Sequence, residues 1–141
     1  MKAVGGYVAK GVWQLPTMET HGRVATEHEH QVDFVRRFRN RWPEVRIMAI
    51  PNGGKRTQRE ALRLKAEGVS PGVPDLFIPE WLLWVEMKRP GGGKSGAGKT
   101  SAEQEDWHRY LRRIGQGVVV CYTSDGAMEA AEKMAVGLGV K

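Results

Sequence analysis

Residues 72–88, GVPDLFIPEWLLWVEMK, decide how the rest of the chain must fold. Asp75 follows Pro74 at the mouth of one apolar run, and Glu86 and Lys88 close the next. Side chains two apart on a strand share a face, so Glu86 and Lys88 project together while Met87 points the other way. With runs 76–78 and 82–88 as strands joined through Pro79 and Glu80, Asp75 and Glu86 meet at one end of a hairpin. The second run is apolar on both faces, as a buried central strand is. Taken singly, Pro-Asp is a common turn and Glu-x-Lys a solvated edge. Together they carry more, because Glu86 and Lys88 follow LLWV, which would bury them, and buried charges need partners or a metal.

Outward from this stretch the pattern is regular. Thr26 with Glu29 forms a capping-box pair, and Val32, Val35, Phe38 and Trp42 recur at helical spacing until Pro43 stops the helix. Residues 45–50, VRIMAI, read as a short strand closed by PNGG at 51–54. A short helix is expected over 57–67, with Ala61, Leu62 and Lys65 on neighbouring turns and Gly68 as its stop. After the hairpin, residues 89–100 are nearly all Gly, Lys or Ser and read as a flexible basic loop. Ser101 and Gln104 form another capping pair, and Trp107, Leu111 and Ile114 give the next helix its apolar stripe before Gly115. A buried strand follows over 117–122, then a last helix over 126–138 with Met128, Ala131, Met134, Ala135 and Leu138 inward. The order α-β-α-β-β-α-β-α predicts an α/β fold, a mixed central sheet flanked by helices on both faces. The length suits one domain over 26–141; residues 1–25, rich in Gly and broken by Pro16, read as an N-terminal extension or arm.

Composition narrows the partners. The 141 residues carry 22 Lys and Arg against 16 Asp and Glu, a net charge of +6 that favours a polyanion. The single Cys121 leaves no disulfide framework or cysteine zinc site and fits the core of a protein in a reducing compartment. No apolar run has the length of a signal peptide or a bilayer span, so a soluble intracellular protein, in the cytoplasm or on the nucleoid, is expected. His28 and His30 sit two apart and make a poor metal pair on a helix; they read as surface histidines, with less signal still at His21 and His108. Trp81, Trp84 and Trp107 fall in strand or helix patterns and read as core.

Two constellations compete for the chemistry. Residues 93–100, GKSGAGKT, satisfy the phosphate-loop pattern, in which Lys99 and Thr100 would meet a nucleotide's phosphates and Mg²⁺. The context opposes it: only one strand remains downstream, with Asp125 beyond Tyr122, Thr123 and Ser124 rather than at a strand tip. A mobile basic loop beside a polyanion is the plainer reading. Asp75, Glu86 and Lys88 form the second constellation. Hard carboxylate oxygens suit Mg²⁺ or Mn²⁺ acting on a phosphodiester, with Lys88 orienting water or neutralising the transition state.

These residues resemble the PD-(D/E)xK nucleases, and within them the VRR-NUC (virus-type replication-repair nuclease) domain. The resemblance covers residues 26–122 and rests on GVPD at 72–75 and EMK at 86–88, supported by EHQ at 29–31, PNGG at 51–54 and SAEQ at 101–104. It implies a restriction-endonuclease-like core and a Mg²⁺-dependent DNA endonuclease that leaves 5′-phosphate and 3′-hydroxyl ends. Branched, flapped or junction DNA in replication, recombination or repair is the implied substrate. A homodimer is implied too; stand-alone domains of this kind are frequent in phages, and no small-molecule cofactor is expected. Carried over by position, Asp75, Glu86 and the main-chain carbonyl of Met87 would bind the metal, with Glu29 completing the acidic set and Glu27 as its rival. Lys88 would be the catalytic lysine and Gln104 the glutamine beside the site; Glu29 and Gln104 also fit as plain capping residues. Asn52, Lys55, Arg56, Lys94 and Lys99 are the expected DNA contacts, by loop position and charge. A DNA-binding module without cleavage, and a nucleotide hydrolase working through residues 93–100, are the alternatives.

Overall fold

The computed structural model describes residues 22–51, 55–91 and 98–141. Residues 1–21, Asn52 with the two glycines after it, and residues 92–97 with Lys94 and most of the phosphate-loop pattern lie outside the described residues.

The sheet grows from the expected hairpin. Strands β2 (Leu76–Ile78) and β3 (Leu83–Met87) pair antiparallel, with Leu76 opposite Val85 and Ile78 opposite Leu83. A single 3-10 turn over Pro79–Trp81 joins them, closed by Leu82 at φ 47°. Strand β1 (Met48–Ala49) pairs antiparallel with β2 and is shorter than the run 45–50 suggests. Its partner limits it: Pro74 and Pro79 bracket β2, and beyond the two paired residues the Ile50 N–H still reaches across, to the Asp75 carbonyl at 2.8 Å. Strand β4 (Gly117–Cys121) lies parallel to β3 on its other side, completing a four-stranded mixed sheet in the order β1-β2-β3-β4. The parallel pair requires a crossover, which helix α3 (Ala102–Arg113) supplies.

Alternation along β3 then sorts the layers. Leu83, Val85 and Met87 enter the main core with Leu76, Ile78 and Cys121, under helices α1 (Glu27–Arg41) and α4 (Ser124–Gly137). Trp84, Glu86 and Lys88 face α3 and the segment after it. Phe38, Trp42 and Trp81 interlock at 5.0 to 5.2 Å between ring centres. Burial pushes the Cys121 thiol up to about 11, as expected of a core cysteine.

Several inward positions differ from the sequence expectation. The buried row of α1 is His30, Phe34 and Phe38, four apart, with Asp33 beside them, whereas Val32 is 40% exposed. Helix α4 starts at Ser124 instead of Gly126, capped by the Thr123 hydroxyl that accepts the Gly126 N–H. Its inward row is Ser124, Ala127, Ala131 and Ala135, small enough for α1 to close on it; Met128 and Met134 flank the core, and Leu138, as C-cap, is half exposed. Ile114 likewise leaves the α3 stripe because it caps that helix. His30 and His108 are buried, not at the surface. His30 is satisfied there, its Nδ1 accepting the Ser124 N–H at 3.0 Å, one of the orphan donors of α4's first turn. Trp81 is in the core, but Trp84 and Trp107 are only half buried; Trp84 stacks on Phe77 at 4.1 Å and donates to Gln116 at 2.6 Å.

Between β1 and β2, helix α2 (Gln58–Ala66) has the Thr57–Glu60 capping box and buries no side chain. No described helix is long and apolar enough to cross a membrane.

Candidate functional site

The ladder that builds the hairpin also opens it. Gly117 donates to the Leu82 carbonyl and Lys88 to the Cys121 carbonyl, so along β3 the peptide groups of even-numbered residues serve β4 and those of odd-numbered residues serve β2. By the same register Met87 stands opposite Pro74. A proline has no N–H, so the ladder offers the Met87 carbonyl no donor. The Met87 N–H is taken by Asp75 Oδ2 at 2.8 Å, which fixes that carboxylate beside the open carbonyl.

On the α3 face of the same strand, Glu86 and Lys88 are joined through Gln104. Gln104 Nε2 donates to Glu86 Oε1 at 2.5 Å, and Lys88 Nζ donates to Gln104 Oε1 at 2.5 Å, with the two charged groups 3.4 Å apart. Gln104 Oε1 also accepts the Ser101 N–H at 2.9 Å, while Ser101 Oγ accepts the Gln104 N–H at 3.2 Å. Gln104 is therefore at once a cap and a site residue. What lets α3 come so close is Gly72: at φ +89°, an added Cβ there would lie 2.5 Å from the Glu103 carbonyl carbon and 2.7 Å from the Gln104 nitrogen.

Electrostatically the pair is unfinished. Glu86 is 1% exposed, and its Oε2 has no hydrogen-bond partner among the described residues. Burial, and then the negative charge of Asp75, push its carboxyl up to about 7. Asp75 is raised as well, chiefly by burial, with Glu27 adding to the rise against the Met87 N–H and Lys88. Two carboxyls held above their ordinary range, one with an orphaned oxygen, beside a carbonyl without a ladder donor, make an all-oxygen set suited to a hard divalent cation. Among the described residues no three His, Cys, Asp or Glu side chains converge on one point, so the acidic part of this set is the pair Asp75 and Glu86.

The first turn of α1 divides its two glutamates. Glu29 caps the helix through Thr26 and pairs with Arg23 at 2.6 Å, which pulls its carboxyl down to about 2. Glu27 is the one whose charge reaches both Asp75 and Glu86. Lys55 and Arg56 are exposed just before the Thr57 cap of α2. Lys99 is exposed beside the site: the Gly98 N–H donates to the Arg89 carbonyl at 2.9 Å, and a Cβ on Gly98 would be 3.6 Å from that of Lys88. Asn52 and Lys94 lie outside the described residues.

His108 was missed. One turn on from Gln104, it is 4% exposed with Nε2 unpartnered among the described residues, and burial, then Arg112 and Lys88, lower its pKa and so favour the neutral ring. The i, i+4 spacing from Gln104 was the available signal. Asp75 and Glu86 lie at the end of the hairpin away from its turn. A concavity of about 870 Å³ lies elsewhere, between β4 and α4, lined by Leu83, Val119, Cys121 and Met134 among others.

No family model, curated protein or solved structure matches this chain.

Proposed function

We propose that the chain is a divalent-metal-dependent DNA endonuclease with a restriction-endonuclease-like core of the VRR-NUC type, hydrolysing phosphodiesters in branched or flapped DNA. The observation that carries this is Glu86, a carboxylate almost wholly removed from water, repelled by Asp75 and left with one unpaired oxygen. A buried acid in that state costs stability unless a cation completes it. Asp75, Glu86 and the Met87 carbonyl would hold Mg²⁺, or Mn²⁺ in its place. When bound, such an ion polarises the scissile phosphodiester and lowers the pKa of a water.

The chain's own groups do the rest. Gln104 holds Lys88 Nζ by one of its protons, leaving the others for a phosphate oxygen or the attacking water. Its amide also fixes Glu86 Oε1, so Oε2 is the oxygen left to a ligand. Lys99 at the rim and a net charge of +6 favour a phosphate backbone without reading sequence.

Linear, flapped and four-way DNA incubated with Mg²⁺ or EDTA tests the assignment. Asp75→Asn and Lys88→Ala should each lower metal-dependent cleavage by about 10²-fold or more, and Lys99→Ala only modestly. Undiminished cleavage by the first two would remove Asp75 and Lys88 from the chemistry, and with them the VRR-NUC-type site. A loss of nucleotide hydrolysis confined to Lys99→Ala would favour the phosphate-loop alternative, and DNA binding without cleavage in the wild type a non-catalytic module.

The two α1 glutamates should also separate. Glu27→Gln is expected to weaken Mg²⁺ binding measured by calorimetry, because its charge acts on both carboxyls. Glu29→Gln is expected to leave Mg²⁺ affinity unchanged and cost only some thermal stability, through the cap and Arg23. The opposite ranking would return Glu29 to the metal site.

A further inference from the structure

We infer that α2 is the element that senses DNA structure, with Leu62 as a wedge between two phosphate-binding arginines; this rests on the endonuclease assignment. A nine-residue helix without a core face has little to hold it by packing, and α2 buries nothing. It is maintained at its ends: by the Thr57–Glu60 box, and by Gly68 at φ +101° with the Val69 N–H donating to the Leu64 carbonyl at 2.9 Å. Both ends of the excursion return to the candidate site. On one side the Ile50 N–H is bonded to the Asp75 carbonyl, and on the other the chain runs through Gly72, packed on α3, into Asp75 itself. The excursion that carries the helix therefore leaves from and returns to the neighbourhood of the carboxylate pair.

Its outward row is Arg59, Leu62, Arg63 and Ala66, spaced i, i+3, i+4 and i+7. Leu62 is 63% exposed. The Arg63 side chain is 73% exposed, and its Glu67 partner, 3.7 Å away and itself mostly in water, neutralises it weakly. With Lys55, Arg56 and Lys65, residues 55–67 hold five cations against two carboxylates. That surplus selects a polyanion, and a leucine set between arginines selects a polyanion with an apolar face. Continuous duplex hides its base-pair faces in the stack. A branch or flap exposes one, against which a small apolar wedge can lie while flanking arginines take the phosphates.

Fluorescence anisotropy on the full chain carrying Asp75→Asn would measure affinity for a blunt and a flapped duplex of equal length across a range of KCl concentrations. Adding Arg59→Ala with Arg63→Ala should reduce the slope of log affinity against log salt by about 2 on both DNAs, at roughly 0.9 per lost phosphate contact. Leu62→Gln, an exposed change to a good helix former, should leave duplex affinity and slope unchanged and weaken the flapped DNA about fivefold. With Asp75 restored, it should cut the preference for flapped over blunt substrate by the same factor. An unchanged slope in the arginine variant, or a Leu62→Gln loss equal on the two DNAs or absent from both, overturns the inference. If those results come from a protein that still binds and cuts DNA, only the role of α2 falls; a wild type that binds no DNA removes the endonuclease assignment with it.

Discussion

Glu86→Gln should make the metal-free protein more stable at pH 8 while removing metal-dependent cleavage. In the fold the Glu86 carboxyl sits at about 7, against an ordinary 4.5. Below pH 4.5 it is protonated folded or unfolded and costs nothing. As pH rises, the unfolded chain releases this proton first, so stability falls until the folded carboxyl has also ionised. The loss is roughly 3 kcal/mol once that is complete, from about 1.4 kcal/mol for each pKa unit. Asp75, also raised, adds in the same direction. Glutamine keeps the Gln104 contact by turning its amide, carries no charge, and escapes this loss. Urea denaturation in EDTA at pH 5 and pH 8 should show wild type losing stability between them and Glu86→Gln losing much less. Millimolar Mg²⁺ should restore wild type at pH 8 and leave the variant unmoved, while cleavage by the variant falls about 10²-fold or more. Identical pH dependence in the two proteins would mean that Glu86 is not held as described.

The second large effect is expected at Gly72. Alanine there meets two penalties at once. The backbone at φ +89° disfavours any Cβ, and that Cβ would stand 2.5 Å from the Glu103 carbonyl carbon and 2.6 Å from its oxygen, neither of which can rotate aside. Helix α3 must shift, and Gln104 shifts with it, uncoupling Lys88 from Glu86. A loss of about 3 kcal/mol or more in denaturant unfolding is expected, with cleavage impaired even in the folded fraction. Gly68→Ala is the control: it too has a positive φ, +101°, but nothing lies within 4 Å of its added Cβ. It should cost only about 1 kcal/mol and leave Mg²⁺ affinity intact, because no contact of Gln104 depends on it. Equal costs at the two glycines would show that the close approach of α3 contributes nothing.

What the sequence made legible was local. The Thr26–Glu29 and Ser101–Gln104 pairs located two helix starts, and the unbroken apolar run over 82–88 located a strand buried on both faces. The juxtaposition of Asp75, Glu86 and Lys88 followed from the two-residue spacing on that strand and the hairpin together, whereas Gln104 was set beside them only by the resemblance. What escaped depends on partners distant in the chain. Burial of His30 is decided by Ser124, ninety-four positions away, and the length of β1 by the prolines around β2. Glu27 and Glu29 share the first turn of α1, and the sequence separates them only by the Thr26 spacing that suits Glu29 as a cap. Only Arg23 and the cap draw one of them aside.

The Gln104 amide has a consequence for which substitutions this chain can accept. Among the described residues, the capping boxes at Thr26 and Thr57 are completed by glutamate, and the one at Ser101 by glutamine. As a cap alone, glutamate would serve there equally well. Against Glu86 it would set one carboxylate on another and have no proton to donate. The residue that breaks the pattern is the one that faces the buried acid, so a departure from the commoner choice at a helix start marks where a second demand falls on the same side chain.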